Sequence, residues 1–240
     1  MSNTILHLAD TRGMANHGWL KSAHSFSFAG YYAEDRVHFG ALRVLNDDDI
    51  SGGMGFGEHP HDNMEIITIP LSGALKHQDS MGNSAVIEAG EIQVMSAGTG
   101  IYHSEFNANA NEAVTLLQIW LFPNKRNVSP RYEQRSLKDW AKINELYQVL
   151  SPNQDDQGVW IHQDAWFHMG NFQAGKKQNY TLKKSGSGLY IFVIKGQLEI
   201  NGNVINTRDG LGIWNTSEFN FKSNTDSEFL VMEVPMEVIL

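Results

Sequence analysis

Residues 64–96 read MEIITIPLSGALKHQDSMGNSAVIEAGEIQVMS, and this stretch decides the fold. A branched run is followed by Ser72-Gly73, a second short run, a turn, a third run, Ala89-Gly90-Glu91 and a fourth run. Runs of β-formers punctuated by turn residues predict successive antiparallel strands. Residues 189–215, LYIFVIKGQLEINGNVINTRDGLGIWN, repeat the order: strand, Lys195-Gly196, strand, turn, strand, Asp209-Gly210, strand. Gly73 and Gly90 stand 17 positions apart and Gly196 and Gly210 stand 14 apart, a difference that a longer hairpin loop in the first copy explains. Self-similarity at long range describes the whole fold. The expected architecture is all-β, with two β-barrels in tandem.

Working outward, further strand-like runs fall at 41–46, 114–122 and 229–234. Asp79-Ser80-Met81-Gly82-Asn83 and Asn201-Gly202-Asn203 supply residues that tolerate positive φ at hairpin turns. One segment has helical spacing: Leu137, Trp140, Ala141, Ile143 and Leu146 recur on one face over 136–146, with Ser136 as its cap. A polar stretch, 151–158, follows with Pro152 and two Asp. The expected division is a first barrel over 1–135, a linking helix over 136–150 and a second barrel over 151–240.

Composition narrows the chemistry. The 240 residues include ten His and no Cys, which excludes disulfides, thiolate zinc sites, iron–sulfur clusters and cysteine nucleophiles. A net charge of −9 argues against direct nucleic-acid binding, which needs a concentrated basic face. At 41% apolar and 19% charged, the chain has the balance of an ordinary folded domain. Residues 1–16 lack the pattern of a secretory signal, and no run approaches the roughly 18 apolar residues of a membrane span. A cytoplasmic protein without a membrane partner is expected.

The chemistry-bearing pattern is Gly53, His59-Pro60-His61 and Glu65, then Gly73, followed by Gly90 and, after a Gly-rich turn at 96–100, His103-Ser104-Glu105. On a strand, residues i and i+2 share a face, so His59 projects with His61 and His103 with Glu105. Two such pairs on neighbouring strands place three imidazoles and a carboxylate around one point. That donor set suits Fe(II), Zn, Ni, Mn or Cu(II), and open positions favour non-haem iron chemistry. Glu65 shares parity with His59 and His61 and is a rival carboxylate. Pro60 cannot donate to a ladder, so its segment belongs at an edge, a strand start or a bulge.

Between Tyr190 and Trp214 there is no His, so the second barrel is expected to lack a metal site. His162 and His168 read as ordinary polar positions. His17 and His24 either line the site or hydrogen-bond within the N-terminal segment, and His77 is expected to bond to the 79–83 turn. Phe26, Phe28, Tyr31, Tyr32, Phe39 and Trp120 read as core. Met54 and Phe56 are candidates for an apolar pocket wall.

The two motifs resemble those of the cupin superfamily, and the surrounding sequence resembles the pirin family. The matching residues are Asn16-His17-Gly18-Trp19-Leu20, Ser25-Phe26-Ser27-Phe28, Arg43-Val44-Leu45-Asn46-Asp47-Asp48, His59-Pro60-His61, His77-Gln78-Asp79-Ser80, Met95-Ser96-Ala97-Gly98-Thr99-Gly100, His103-Ser104-Glu105 and Gln118-Ile119-Trp120. They run along essentially the whole chain, and the short C-terminal half is similar to the bacterial branch resembling quercetin dioxygenases. The resemblance implies a bicupin, two jelly-roll-like barrels with one divalent metal in the first. Fe(II) is the foremost candidate, with Zn, Ni, Mn, Co or Cu as alternatives. Carried over by position, the ligands are His59, His61, His103 and Glu105. The general cupin pattern would instead nominate Glu65; here it is also altered by Ser96 in place of Pro and by seven residues, in place of six, between Glu65 and Gly73.

The implied activity is 2,3-dioxygenation of a flavonol such as quercetin by O2 with loss of carbon monoxide, Glu105 acting as general base. The resemblance also implies an alternative: an iron-binding, redox-sensitive protein that regulates a transcription factor or metabolic enzyme by contact. A different cupin reaction, such as sugar isomerisation, would require basic and aromatic sugar-binding residues in the pocket.

Overall fold

Side-chain alternation along the strand Glu65–Ser72 sets the layering of the molecule. Ile66 and Thr68 point into the first barrel, whereas Glu65, Ile67 and Ile69 point out of it towards the second. The computed structural model describes residues 2–238. Each half is a sandwich of one seven-stranded and one four-stranded sheet. In the first, Arg131–Ser136, Glu91–Ser96, Glu65–Ser72, Val114–Leu121, Leu42–Ile50, Leu20–His24 and Gly13–Asn16 form the large sheet in that order. Gly55–His61, Ile101–Asn107, Ala74–Asp79 and Ser84–Glu88 form the small one.

The two tandem barrels are therefore present, and the internal echo has a structural counterpart. Glu65–Ser72 pairs with Glu91–Ser96 as Ser187–Lys195 pairs with Gly210–Trp214. The intervening hairpins, Ala74–Asp79 with Ser84–Glu88 and Gln197–Ile200 with Asn203–Asn206, also correspond. Gly73 and Gly196 both adopt left-handed backbone (φ 69° and 91°), which explains glycine at the same joint of each copy.

The two large sheets bury a shared core. Leu45, Ile67, Ile69, Leu117 and Ile119 of the first half pack with Phe167, Tyr190, Phe192, Leu230 and Met232 of the second. Each fully buried side chain of this kind stabilises the fold by about 1.5–3 kcal/mol, so the barrels are bound tightly to one another. The strand Asn3–His7, expected with the first barrel, pairs with Gly210–Trp214 and so edges the second barrel's sheet. Met1, Ile239 and Leu240, which the expected division places in the two barrels, lie outside the described residues.

The linking helix does not form. Ser136 ends the strand Arg131–Ser136, and the amide of Leu137 donates to the Gly90 carbonyl at 2.8 Å. A single turn follows, closed by Trp140 and Ala141 amides on the Leu137 carbonyl, before Asn144 turns left-handed at φ 62°. The physical reason is that two different cores claim its leucines: Leu137 is buried between the barrels, Leu146 inside the second. Helical spacing alone does not outweigh such packing in so short a segment. Among the described residues there are only two three-residue 3-10 turns, and no helix is long and apolar enough to cross a membrane.

The barrel interiors differ in kind. The second is filled by Phe172, Leu189, Ile191, Leu211, Phe219 and Phe229 among others. The first has apolar clusters around Leu75 and Leu116 and around Met95 and Ile101, together with buried Asn46, Asp48, Thr68, His77, Gln93, His103, Glu105 and Gln118.

Candidate metal centre

Gly55–His61 is the edge strand of the small sheet, the position that Pro60 requires. It pairs with Ile101–Asn107, setting His59 opposite His103 and His61 opposite Ile101. The register then slips, so that Glu105 faces Phe56. This bulge spans Gly57 and Glu58 and lets Phe56 and His59 reach the same cavity despite odd spacing. The His59 and His103 rings lie 4.4 Å apart, and each is 4.9 Å from His61. One ligand atom from each of the three lies within 4.8 Å of the others.

The histidine nitrogens are placed to receive a cation. His59 Nδ1–H donates to the Gly57 carbonyl at 2.8 Å, which leaves the Nε2 lone pair free. Burial, aided by the neighbouring imidazoles, lowers the His61 pKa to about 4 and that of His103 to about 3, so both rings are neutral near pH 7. His61 Nε2 and both nitrogens of His103 are buried without a hydrogen-bond partner among the described residues. Leaving such atoms unsatisfied costs about 1–3 kcal/mol each, and a coordinated divalent metal removes that cost for one nitrogen of each ring. The residues fit one.

Glu105 sits two residues beyond His103 on the same inward face and is almost fully buried. Its Oε2 accepts from Gln118 Nε2 at 2.9 Å, and its Oε1 is 3.4 Å from the Thr68 hydroxyl. It groups with His103 and His77, whose ligand atoms again fall within 4.8 Å of one another. Glu65, the rival carboxylate, lies elsewhere. The turn at 62–64, with Asn63 at φ 44°, carries the chain from one sheet to the other and breaks the parity argument. Glu65 accepts from Ser96 Oγ at 2.7 Å and from the His162 backbone of the second barrel.

His77 also departs from expectation. It is wholly buried, stacks near Tyr132 and bonds through Nε2 to Asp79 Oδ2 at 3.1 Å. Asp79 itself makes the turn bonds, to the amides of Met81 and Asn83. Burial would raise the Asp79 pKa, but the hydrogen bonds from Asn83 and His77 hold it below the ordinary value.

A cavity of about 400 Å³ opens beside His59 and His61. Trp19, Phe28, Phe56 and Trp120 wall it, with Asn46, Glu105 and Gln118 behind. Phe56 is where expected; Phe28 and Trp120 are wall rather than core, while Met54 is exposed and lines nothing here. Phe26 and Phe39 are core, Tyr32 is exposed, and His24 is buried in a hydrogen-bonded group with Ser22 and Asn46. His168 is packed against Tyr180 inside the second half. Asn46, His77 and Gln118 escaped the sequence reading as functional residues. Inward parity from the core positions Leu116 and Leu75 would have marked Gln118 and His77.

A bicupin with one histidine-rich pocket in its first barrel is the class that fold and site define. The chain belongs to the pirin family: residues 7–121 match the model of Pirin and residues 148–234 that of the quercetinase C-terminal cupin domain. It is 44% identical over 230 residues to quercetin 2,3-dioxygenase of Escherichia coli K12, covering 96% of this chain and 98% of the relative. It is 38% identical to a pirin-like protein of Caulobacter vibrioides, over 93% of this chain and 96% of that protein. Among solved structures, the Escherichia coli bacterial pirin YhhW in complex with nickel(II) superposes with a TM-score of 0.92 at 42% identity, covering 98% of this chain and all of that one.

Proposed function

We propose that the chain is a metal-dependent dioxygenase that cleaves flavonols such as quercetin with O2, in the cytoplasm. The observation that carries this is the juxtaposition of three clustered histidines and a buried glutamate with an aromatic-walled cavity. Its volume falls within the usual range of about 300–1,000 Å³ for small-molecule sites. In this reading the first barrel, residues 13–136, carries the chemistry, and the second, residues 147–235 with Asn3–His7 at its sheet edge, is a barrel without a metal site. His59, His61 and His103 hold the ion, with Glu105 as the fourth ligand; Fe(II) is the ion we favour.

A bound divalent metal supplies Lewis acidity that lowers the pKa of a hydroxyl it holds. If it loosens from the ion, Glu105 would accept the flavonol 3-hydroxyl proton at Oε1, the oxygen with the longer protein contact, while Gln118 keeps its grip on Oε2. Trp19, Phe28, Phe56 and Trp120 hold the flat ring system and exclude water. Ring opening by O2, with one carbon leaving as carbon monoxide, completes the proposed reaction. The test is loss of the flavonol absorbance band when quercetin and metal-loaded protein are mixed in air. Decay no faster than with metal alone, across Fe, Ni, Co, Mn, Cu and Zn, contradicts the proposal.

One observation favours regulation by protein contact as a second reading. Tyr102 and Phe106, exposed at 53% and 38%, lie on the outer face of the strand whose inner face carries His103 and Glu105. A change of iron charge would then reach an apolar surface through one strand. Pull-downs with reduced and oxidised protein should recover different partners, and identical sets would exclude this reading.

A further inference from the structure

The hydrogen bonds behind the cavity fix the direction of two side-chain amides. Asn46 and Gln118 are opposite each other on paired strands, and both line the cavity. Ser22 Oγ–H donates to Asp48 Oδ1, so its single hydrogen is committed. His24 Nδ1 lies 3.3 Å from that Oγ and 2.8 Å from Asn46 Oδ1. Asn46 Oδ1 faces Nδ1, and an amide oxygen only accepts, so Nδ1 carries the hydrogen of this bond. Burial lowers the His24 pKa, in keeping with a neutral ring. The Asn46 amino group is thereby turned to the cavity, without an acceptor among the described residues.

Gln118 turns its amino end to Glu105 Oε2 and its Oε1 to the Thr68 hydroxyl, 3.1 Å away, which sets the direction of the amide. Of the two hydrogens on Nε2, Glu105 takes one at 2.9 Å, and the other has no acceptor among the described residues. Trp120 Nε1, on the same wall, is a third donor without a partner.

We propose that the amino groups of Asn46 and Gln118 form a donor pair that selects aromatic ligands bearing a carbonyl or enolate oxygen. This deepens the dioxygenase reading and rests on it for the placement of the ligand in this cavity. A site built with donors rejects an analogue lacking the acceptor far more strongly than a hydrophobic pocket rejects a lost methylene, because the donors are left unpaired and dry.

The test is anaerobic titration of metal-loaded protein with flavone, which has the 4-carbonyl, and flavan, which lacks it, read by quenching of tryptophan fluorescence. Wild type should bind flavone about tenfold or more tighter than flavan, the loss expected for about 1.4 kcal/mol of unpaired donor. Asn46→Asp replaces the donor by an acceptor and Asn46→Leu removes it; each should lower the flavone-over-flavan preference severalfold with metal content unchanged. A wild-type ratio near one, binding of neither probe, or an unchanged ratio in a folded variant overturns the proposal. If only one variant folds it suffices, and the wild-type ratio decides if neither does. Selective binding without quercetin turnover would remove the dioxygenase reading alone; turnover without selectivity would remove the donor pair alone.

Discussion

Gln118 Nε2 lies 2.9 Å from Glu105 Oε2, at the back of the cavity whose front is occupied by His59 and His61. The bond is buried, so it holds the carboxyl group in place. Gln118→Leu frees Glu105 without touching a histidine. Quercetin turnover should fall by about 10–100-fold, the usual cost of losing an outer partner of a metal site. Metal analysis should meanwhile return at least half the wild-type content, and Gln118→Glu should not rescue turnover at pH 8.

Glu105→Ala and Glu65→Ala separate the two carboxylates. Loss of Glu105 should abolish tight metal binding or strongly reduce turnover. Loss of Glu65 should leave metal content near wild type and lower the melting temperature, because the Ser96 hydroxyl and the His162 amide lose their acceptor. Metal lost only from Glu65→Ala would reverse the assignment.

Glu65 also predicts a pH dependence of stability. Burial raises its pKa to about 7, partly opposed by Ser96, the His162 backbone and Arg131. A carboxyl with a raised folded-state pKa contributes its stability in full below the unfolded value, near 4.5, and loses it as pH rises through about 7. The difference amounts to about 3 kcal/mol at most. Glu65→Gln should flatten the dependence of melting temperature on pH between about 4.5 and 7. An unchanged slope in that window would show that Glu65 does not carry it.

Gly212 tests the union of the barrels. A Cβ built there would lie 2.6 Å from Phe39 Cε2 and 2.9 Å from Ile5 Cγ2. Gly212→Ala should therefore destabilise the chain by about 1–3 kcal/mol through overpacking. Thermal denaturation should show the loss, while metal content at low temperature stays unchanged.

Much of this was legible in the residues. Gly73 and Gly196 announced equivalent joints of two barrels, and Pro60 limited the histidine segment to an edge, a strand start or a bulge, of which the structure shows the edge. The i, i+2 spacing brought His59 and His61 to one side and His103 and Glu105 to another. What failed did so where tertiary structure overrides a local pattern. Leu137 and Leu146 keep helical spacing but serve two different cores. Glu65 keeps parity with His61 only on paper, because a turn and a change of sheet intervene. Phe28 and Trp120 have the composition of core residues, and only the closed barrel shows that they border empty space. Gln118 and Asn46 matter through the direction of an amide, which depends on hydrogen-bond partners many residues away.

The central claim, that the first barrel holds one catalytic metal on His59, His61, His103 and Glu105, is tested most directly by metal analysis of protein purified without added metal. Wild type and His103→Ala should be measured side by side, each in parallel with the quercetin assay. About one divalent ion per chain in wild type, and loss of both ion and turnover in folded His103→Ala, is the expected result. A full complement of metal in that variant, or turnover without metal, would contradict it.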